Sequence, residues 1–310
     1  QCAAELDGEA YFRISHQNSP TSPIHPKLEE IVSEIGDATD GKLRLEIFPS
    51  AQLGGPVQAL EQAAFDENVI FYMSSGNLAT AGVPDYSILN GPFLTPSLEA
   101  AQALASSDVV VEMAEELASK GGIRVLALNW FDSPRSILGD AAYPNPQDLE
   151  GVQMRVPEAP AYMRTFEVLK TSPMAVPFSE LYLALQQGVV SAAEGGIQGM
   201  DDANLMEVAD TVTVTDHFRL FYGFAMSENL FADLPDACQS LLVTQFEQKG
   251  DDYSAGMNEI TAQAIEELTA EGITFVQADQ EAYREATEEF YTLFPEWSEG
   301  LYERVRGAME

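Results

Sequence analysis

Along the first two thirds of the chain, apolar residues switch repeatedly between two periods. Between Pro26 and Gly41, Leu28, Ile31, Val32 and Ile35 recur at steps of three and four, which predicts an amphipathic helix. In the next segment Leu43, Leu45 and Ile47 alternate with polar residues and Pro49 follows, as in a strand with one buried face. The run VIFYMSSG (69–76) is apolar up to its turn residues, the pattern of a buried parallel strand. Strand-like runs also occur at YFRISH (11–16), IRVLALNWF (123–131), VQMRVP (152–157), DTVTVTDHF (210–218) and FYGFAMSENLF (221–231). Helical patterns lie between them, at 54–68, 97–120, 159–170 and 177–188. In the last of these, Phe178, Leu181, Tyr182 and Leu185 form one stripe and Gly188 stops it. After Pro235 the alternation ends: residues 236–271 read as one long acidic helix, and 279–310 are helical again.

Strands alternating with helices predict an α/β fold with parallel sheets. A chain of 310 residues is long for a single core, so two domains are expected. No low-complexity linker separates them, which implies several chain crossings between the two bodies.

Charge narrows the partners. With 50 acidic against 15 basic residues the net charge is −35, which sets the protein against nucleic acid and anionic membrane surfaces. Such acidity suits a salty medium, where screening shortens the repulsion. No apolar run approaches the ~20 residues of a membrane span. The start at QCAAELDGEAYFRISH, without methionine, is expected of an exported protein whose signal peptide has been removed. Cys2 and Cys238 have no CxxC spacing and so suggest neither zinc nor a redox motif; they form either one disulfide or two thiols.

Catalytic signatures are absent: no G-x-S-x-G, no phosphate-cradling glycine loop, no H-E-x-x-H. His16, His25 and His217 lack ligand-like spacing and read as polar surface or loop-edge residues. No enzyme activity, cofactor or metal is expected.

One residue is out of character. In GVQMRVPEAP (151–160), Arg155 stands between Met154 and Val156 in an apolar run that Pro157 ends. If Val152, Met154 and Val156 share one face, Arg155 lies on the other, near the carboxyl end of the strand, where open parallel sheets bind ligands. Its guanidinium needs an anion: either a carboxylate of this chain or one from a ligand, which its planar fork fits with two hydrogen bonds. Arg135, in NWFDSPRSILG, follows another strand end and either points into the same crevice or is a solvated loop residue. Trp130, Phe131, Tyr162, Phe178 and Tyr222 are candidates for its apolar walls or for core.

The segment GVQMRVPEAPAYMRTFEVLKTSPMAVPFSELYLALQQGVVSAAEG resembles the signature region of the solute-binding proteins of TRAP (tripartite ATP-independent periplasmic) transporters, the DctP-like family. FPSAQLGG and ILNGPFL resemble the family too, in the family's order, so the resemblance covers nearly the whole chain. It implies a two-domain α/β periplasmic-binding-protein-like fold, with a ligand cleft between the domains and a long helix bracing both. The division it implies is residues 1–132 with 221–260 as one domain and 133–220 with 261–310 as the other. It further implies a monomeric periplasmic receptor that closes on an organic acid and hands it to TRAP permease membrane subunits. A sensory receptor for such an acid, or an enzyme acting on it, are the alternatives. Arg155 falls on the family's selectivity arginine and Arg135 on a second ligand-contacting arginine. Phe178 matches an aromatic that packs on the ligand, while Gln17 and the Ser75–Asn77 turn stand where first-domain contacts arise. Trp130 is a further candidate contact. Where many members read DGQENP this chain reads SAAEGG, so Gly195 replaces a ligand-binding asparagine, deleting a donor and opening space for a bulkier or more apolar acid. Glu194 is either structural or an acceptor for a ligand hydroxyl.

Overall fold

The structure is a computed structural model and describes residues 1–309. The strands are β1 (Ala10–Ser15), β2 (Leu43–Phe48), β3 (Val69–Ser74), β4 (Ile123–Ala127), β5 (Arg135–Gly139), β6 (Gln153–Val156), β7 (Ser172–Ala175), β8 (Ala192–Gly196), β9 (Thr211–Val214), β10 (Tyr222–Ser227) and β11 (Thr274–Gln277). They form two sheets, one ordered β2-β1-β3-β10-β4 and one ordered β11-β9-β5-β8-β6-β7. Both faces of the first sheet are covered. In β3, Val69, Phe71 and Met73 enter one apolar cluster while Ile70 and Tyr72 enter another, which accounts for the unbroken apolar run.

The expectation of parallel sheets holds only in part. β10 lies antiparallel to both β3 and β4, and β5 antiparallel to both β8 and β9. These two strands are the ones the chain enters directly from the other sheet, through residues 128–134 and 215–221. A crossover helix returns the chain to a parallel strand of the same sheet, and neither β5 nor β10 is reached through one.

Three connections tie the bodies together. The two short segments are buried, with Trp130, Phe131, Phe218 and Phe221 packed into the core. The third is the helix Asp236–Glu271, 36 residues and about 54 Å long at 1.5 Å per residue. Its Leu242 and Phe246 share a cluster with Leu28, Ile31 and Ile35 beside the first sheet, and its Leu268 packs with Leu138 and Val212 beside the second. The helix therefore braces both, as the resemblance implies. Gly250 sits where the crossing segment presses on it: a Cβ there would lie 2.4 Å from Asn129 Oδ1 and 2.8 Å from Trp130 Nε1. Trp130 donates its indole N–H to the Phe246 carbonyl at 3.0 Å and is 0% exposed, so it is a helix anchor and not a ligand contact.

The C-terminal stretch departs from the expected continuous helix. It breaks into Gln280–Thr287, a 3₁₀ turn over Glu288–Thr292 and Leu301–Gly307, with Pro295 and a left-handed Gly300 between the last two. Leu301 and Val305 join Leu104 and Val110 beneath the first sheet, and Trp297 donates to Ser87 Oγ at 2.7 Å. The end of the chain, expected with the second domain, thus packs on the first. No helix among the described residues is long and apolar enough to cross a membrane.

Cys2 and Cys238 form a disulfide with a Cα–Cα distance of 4.6 Å, joining the N-terminal turn to the start of the long helix. Closing so large a loop constrains the unfolded chain, an effect typically about 2–4 kcal/mol. For a chain of this size, a Cys2→Ala, Cys238→Ala double variant should melt roughly 3–6 °C lower in scanning calorimetry. Equal midpoints for the two proteins would remove the bridge from the sources of stability.

Candidate functional site

Between the sheets lies a cleft of about 330 Å³. Gln17, Tyr72 and Asn77 line it from the first body, and Arg135, Arg155, Phe178 and Gly195 from the second. Volume and lining are in the range of a small-molecule site.

Arg155 reaches the cleft because β6 is short and its neighbours in sequence, Met154 and Val156, are wholly buried. Nε donates to the Val176 carbonyl at 2.9 Å, which fixes the plane of the guanidinium. The two terminal amino groups donate to no described residue, and no carboxylate among the described residues lies within ion-pair distance. The side chain is 2% exposed, and Cζ stands 5.8 Å from the centre of the Phe178 ring. Burial lowers its pKa to about 10, partly offset by the nearby Glu194 charge, so it remains a cation at neutral pH. Of the two anions the sequence left open, no carboxylate among the described residues takes the internal role. A buried cation with an empty fork is a site for an external one.

Arg135 is different. It opens β5, contrary to the loop position expected, and β8 beside it presents Glu194. Arg135 Nε and Nη2 donate to the two Glu194 oxygens at 2.6 and 2.7 Å, a bidentate pair. Glu194 is 0% exposed. Burial raises its pKa, but Arg135 and His217 outweigh it and hold the carboxyl down at about 2. His217 Nε2 stands 3.6 Å from Glu194 Oε2, and its Nδ1 lies 2.6 Å from Thr215 Oγ1. Glu194 thus aims Arg135 from within the core and does not border the cleft. The histidines also differ from expectation. His16 and His217 are buried, each with one ring nitrogen bonded, His16 Nε2 at 3.1 Å from His25 Nδ1 and His217 Nδ1 at 2.6 Å from Thr215 Oγ1, while His16 Nδ1 and His217 Nε2 have no hydrogen-bond partner among the described residues.

Of the three first-body candidates, two line the cleft. Gln17 lines the cleft, and Asn77 does so with its side-chain oxygen accepting from the Ser74 hydroxyl at 2.9 Å and its amide N–H groups bonded to no described residue. Ser75 does not line it: the residue is fully buried and its hydroxyl bonds Asn90. Gly195 lines the cleft, but the space expected there is filled. A Cβ at Gly195 would lie 2.9 Å from Met200 Cγ and 3.0 Å from Met200 Sδ. The Met200 side chain occupies the room that a side chain at 195 would take.

Tyr72, Asp132 and Met200 also border the cleft and were not singled out from sequence. Tyr72 sits in an apolar run that reads as core, and only its hydroxyl, which a buried tyrosine must satisfy, could have marked it.

Residues 14–296 match the family described as bacterial extracellular solute-binding protein, family 7, DctP. A solute-binding protein of Roseobacter denitrificans is 26% identical over 262 residues, covering 83% of this chain and 79% of its own. The crystal structure of a TRAP periplasmic solute-binding protein from Ochrobacterium anthropi with bound L-fuconate is 26% identical, with a TM-score of 0.94 over 98% of this chain and 100% of that one. One from Desulfovibrio salexigens, in complex with diglycerolphosphate, is 25% identical, with a TM-score of 0.92 over 97% and 96%.

Proposed function

Because the chain belongs to family 7 of the bacterial extracellular solute-binding proteins, we propose that it captures an organic acid by its carboxylate in the cleft and delivers it to a TRAP membrane permease from the periplasm. The observation that carries this reading is Arg155: buried, cationic, fixed by one hydrogen bond, with its remaining N–H groups directed to the cleft and unpaired. Among the guanidiniums there it alone lacks a protein carboxylate, since Arg135 is neutralised by Glu194. One unpaired guanidinium matches one carboxylate, which favours a monocarboxylate over a dianion. The ligand bound to the Ochrobacterium anthropi protein, L-fuconate, is such an acid and carries hydroxyls.

Gln17 and Asn77 approach from one body and Arg155 and Phe178 from the other, so contacts to the acid are complete only when the bodies close on it. Closure is a hinge motion biased by the ligand's extra interactions in the closed state. The net charge of −35 repels an arriving anion, and Arg155 supplies the local attraction. The protein acts as a monomer and performs no chemistry on the acid.

A thermal-shift screen of refolded protein against hydroxylated, plain, keto and dicarboxylic acids and phosphate esters tests the reading. An acid at 100 times its dissociation constant stabilises the fold by about 2.7 kcal/mol, a rise of roughly 4 °C here. If no carboxylate moves the midpoint while a phosphate ester does, the carboxylate assignment is wrong.

A further inference from the structure

Besides Arg155, the cleft carries a carboxylate that no described cation pairs with. Asp132 lies on the crossing segment between β4 and β5, is half-buried and borders the cleft. Its Oδ1 accepts the Ser133 N–H at 2.8 Å; Oδ2 accepts from no described residue, and no cation is within ion-pair distance. Gly196 keeps that oxygen clear, because a Cβ there would lie 3.1 Å from Asp132 Oδ2. Burial pushes the carboxyl pKa up, while the Ser133 N–H and the Arg135 charge oppose this. Tyr72 and Tyr222 stack on each other at 4.9 Å, both feel the Asp132 charge, and both border the cleft with hydroxyls that bond no described residue. A half-buried acceptor and two phenolic donors therefore line one cleft, none of the three polar ends bonded to a described residue.

We propose that Asp132, with the Tyr72 and Tyr222 hydroxyls, forms a second subsite that reads an alcohol hydroxyl on the ligand, making the cleft selective for hydroxylated over plain monocarboxylates. This rests on the organic-acid reading above and specifies it. An alcohol fits because it donates to Asp132 Oδ2 and accepts from a tyrosine O–H at once. An ammonium group satisfies the aspartate but leaves both phenolic protons without an acceptor. A methylene leaves all three groups desolvated and unpaired, the condition under which sites built for a hydroxyl reject analogues that lack it.

The test is calorimetric titration of refolded full-length protein with two matched pairs, L-fuconate against hexanoate and glycerate against propionate, with 6-aminohexanoate as a fifth probe. In the wild type, at least one hydroxylated acid is expected to bind about a hundredfold or more tighter than its plain counterpart. Asp132→Asn keeps the Ser133 contact and the side-chain volume but turns Oδ2 into a donor. It should cut that ratio at least tenfold, by weakening the hydroxylated acid alone. Removing a negative charge by itself would tighten every anion, so the two effects have opposite signs. Asp132→Ala, checked for an unchanged fold by circular dichroism, should behave alike. An unchanged ratio in both variants, equal weakening of both members of a pair, or tightest binding by 6-aminohexanoate overturns the subsite. If Arg155→Ala abolishes binding while Asp132→Asn leaves the ratio intact, only the subsite falls. If the wild type binds none of the acids, the organic-acid reading falls with it.

Discussion

Arg155→Ala is expected to weaken capture of the acid by about a hundred- to several-thousandfold, the 3–5 kcal/mol that accompanies loss of one member of a buried, hydrogen-bonded charge pair. Most of this comes from the ligand carboxylate, left desolvated in a cleft whose other guanidinium is already bound to Glu194. The fold should not suffer in parallel. In the free protein Arg155 has a single hydrogen bond, to the Val176 carbonyl, against the burial of a full charge. Removing it therefore relieves a desolvation cost, and the ligand-free melting temperature should hold or rise slightly. Arg155→Lys separates charge from shape: the ammonium keeps the attraction but cannot make two parallel bonds, so its affinity should fall between wild type and alanine. Titration calorimetry with a melting curve on the same samples decides the matter. Near-wild-type affinity in Arg155→Ala would end the assignment of this residue as the anchor.

Glu194→Ala is the complementary change, large in stability and indirect in binding. It leaves Arg135 buried without its bidentate partner, a loss of about 3–5 kcal/mol for broken buried pairs, or roughly 5–8 °C in melting temperature here. Glu194→Gln, which retains one acceptor, should lose less. The pair also sets an acid limit. Glu194 has a folded pKa of about 2, below the usual 4.5, so folding favours its ionised form. Its contribution is fully present above about pH 4.5 and is lost as pH falls through 2; by linkage it amounts to about 3 kcal/mol. Between pH 4.5 and 2, wild-type stability should therefore fall more steeply than that of Glu194→Gln. Parallel pH profiles would show the pair contributes nothing.

The bodies of the fold were legible where one element reports its own burial. The unbroken apolar run at β3 marked a strand covered on both faces. Pro235 and Gly272, the latter at φ 103°, bracket the long helix at the limits that periodicity predicts. The direction of β5 and β10 was not legible, because it depends on which sheet the chain has just left. The break in the C-terminal helix escaped the reading as well, although Pro295 and Gly300 stand in its sequence.

The site divides along the same line. A lone arginine flanked by apolar residues and closed off by Pro157 is improbable as decoration, and sequence alone marked Arg155 as needing an anion. Its vacancy, and the contrasting occupation of Arg135, were decided by the tertiary structure. Glu194 pairs with Arg135 from 59 positions away because β8 lies against β5. Cys2 meets Cys238 across 236 positions. Met200 fills the room that Gly195 vacates, and Gly196 clears the approach to Asp132, though no local pattern links either pair. Hydrophobic period records which way a side chain faces from its own element. What stands opposite is set by sheet order and by closure of long loops, and those exist only once the two bodies have assembled.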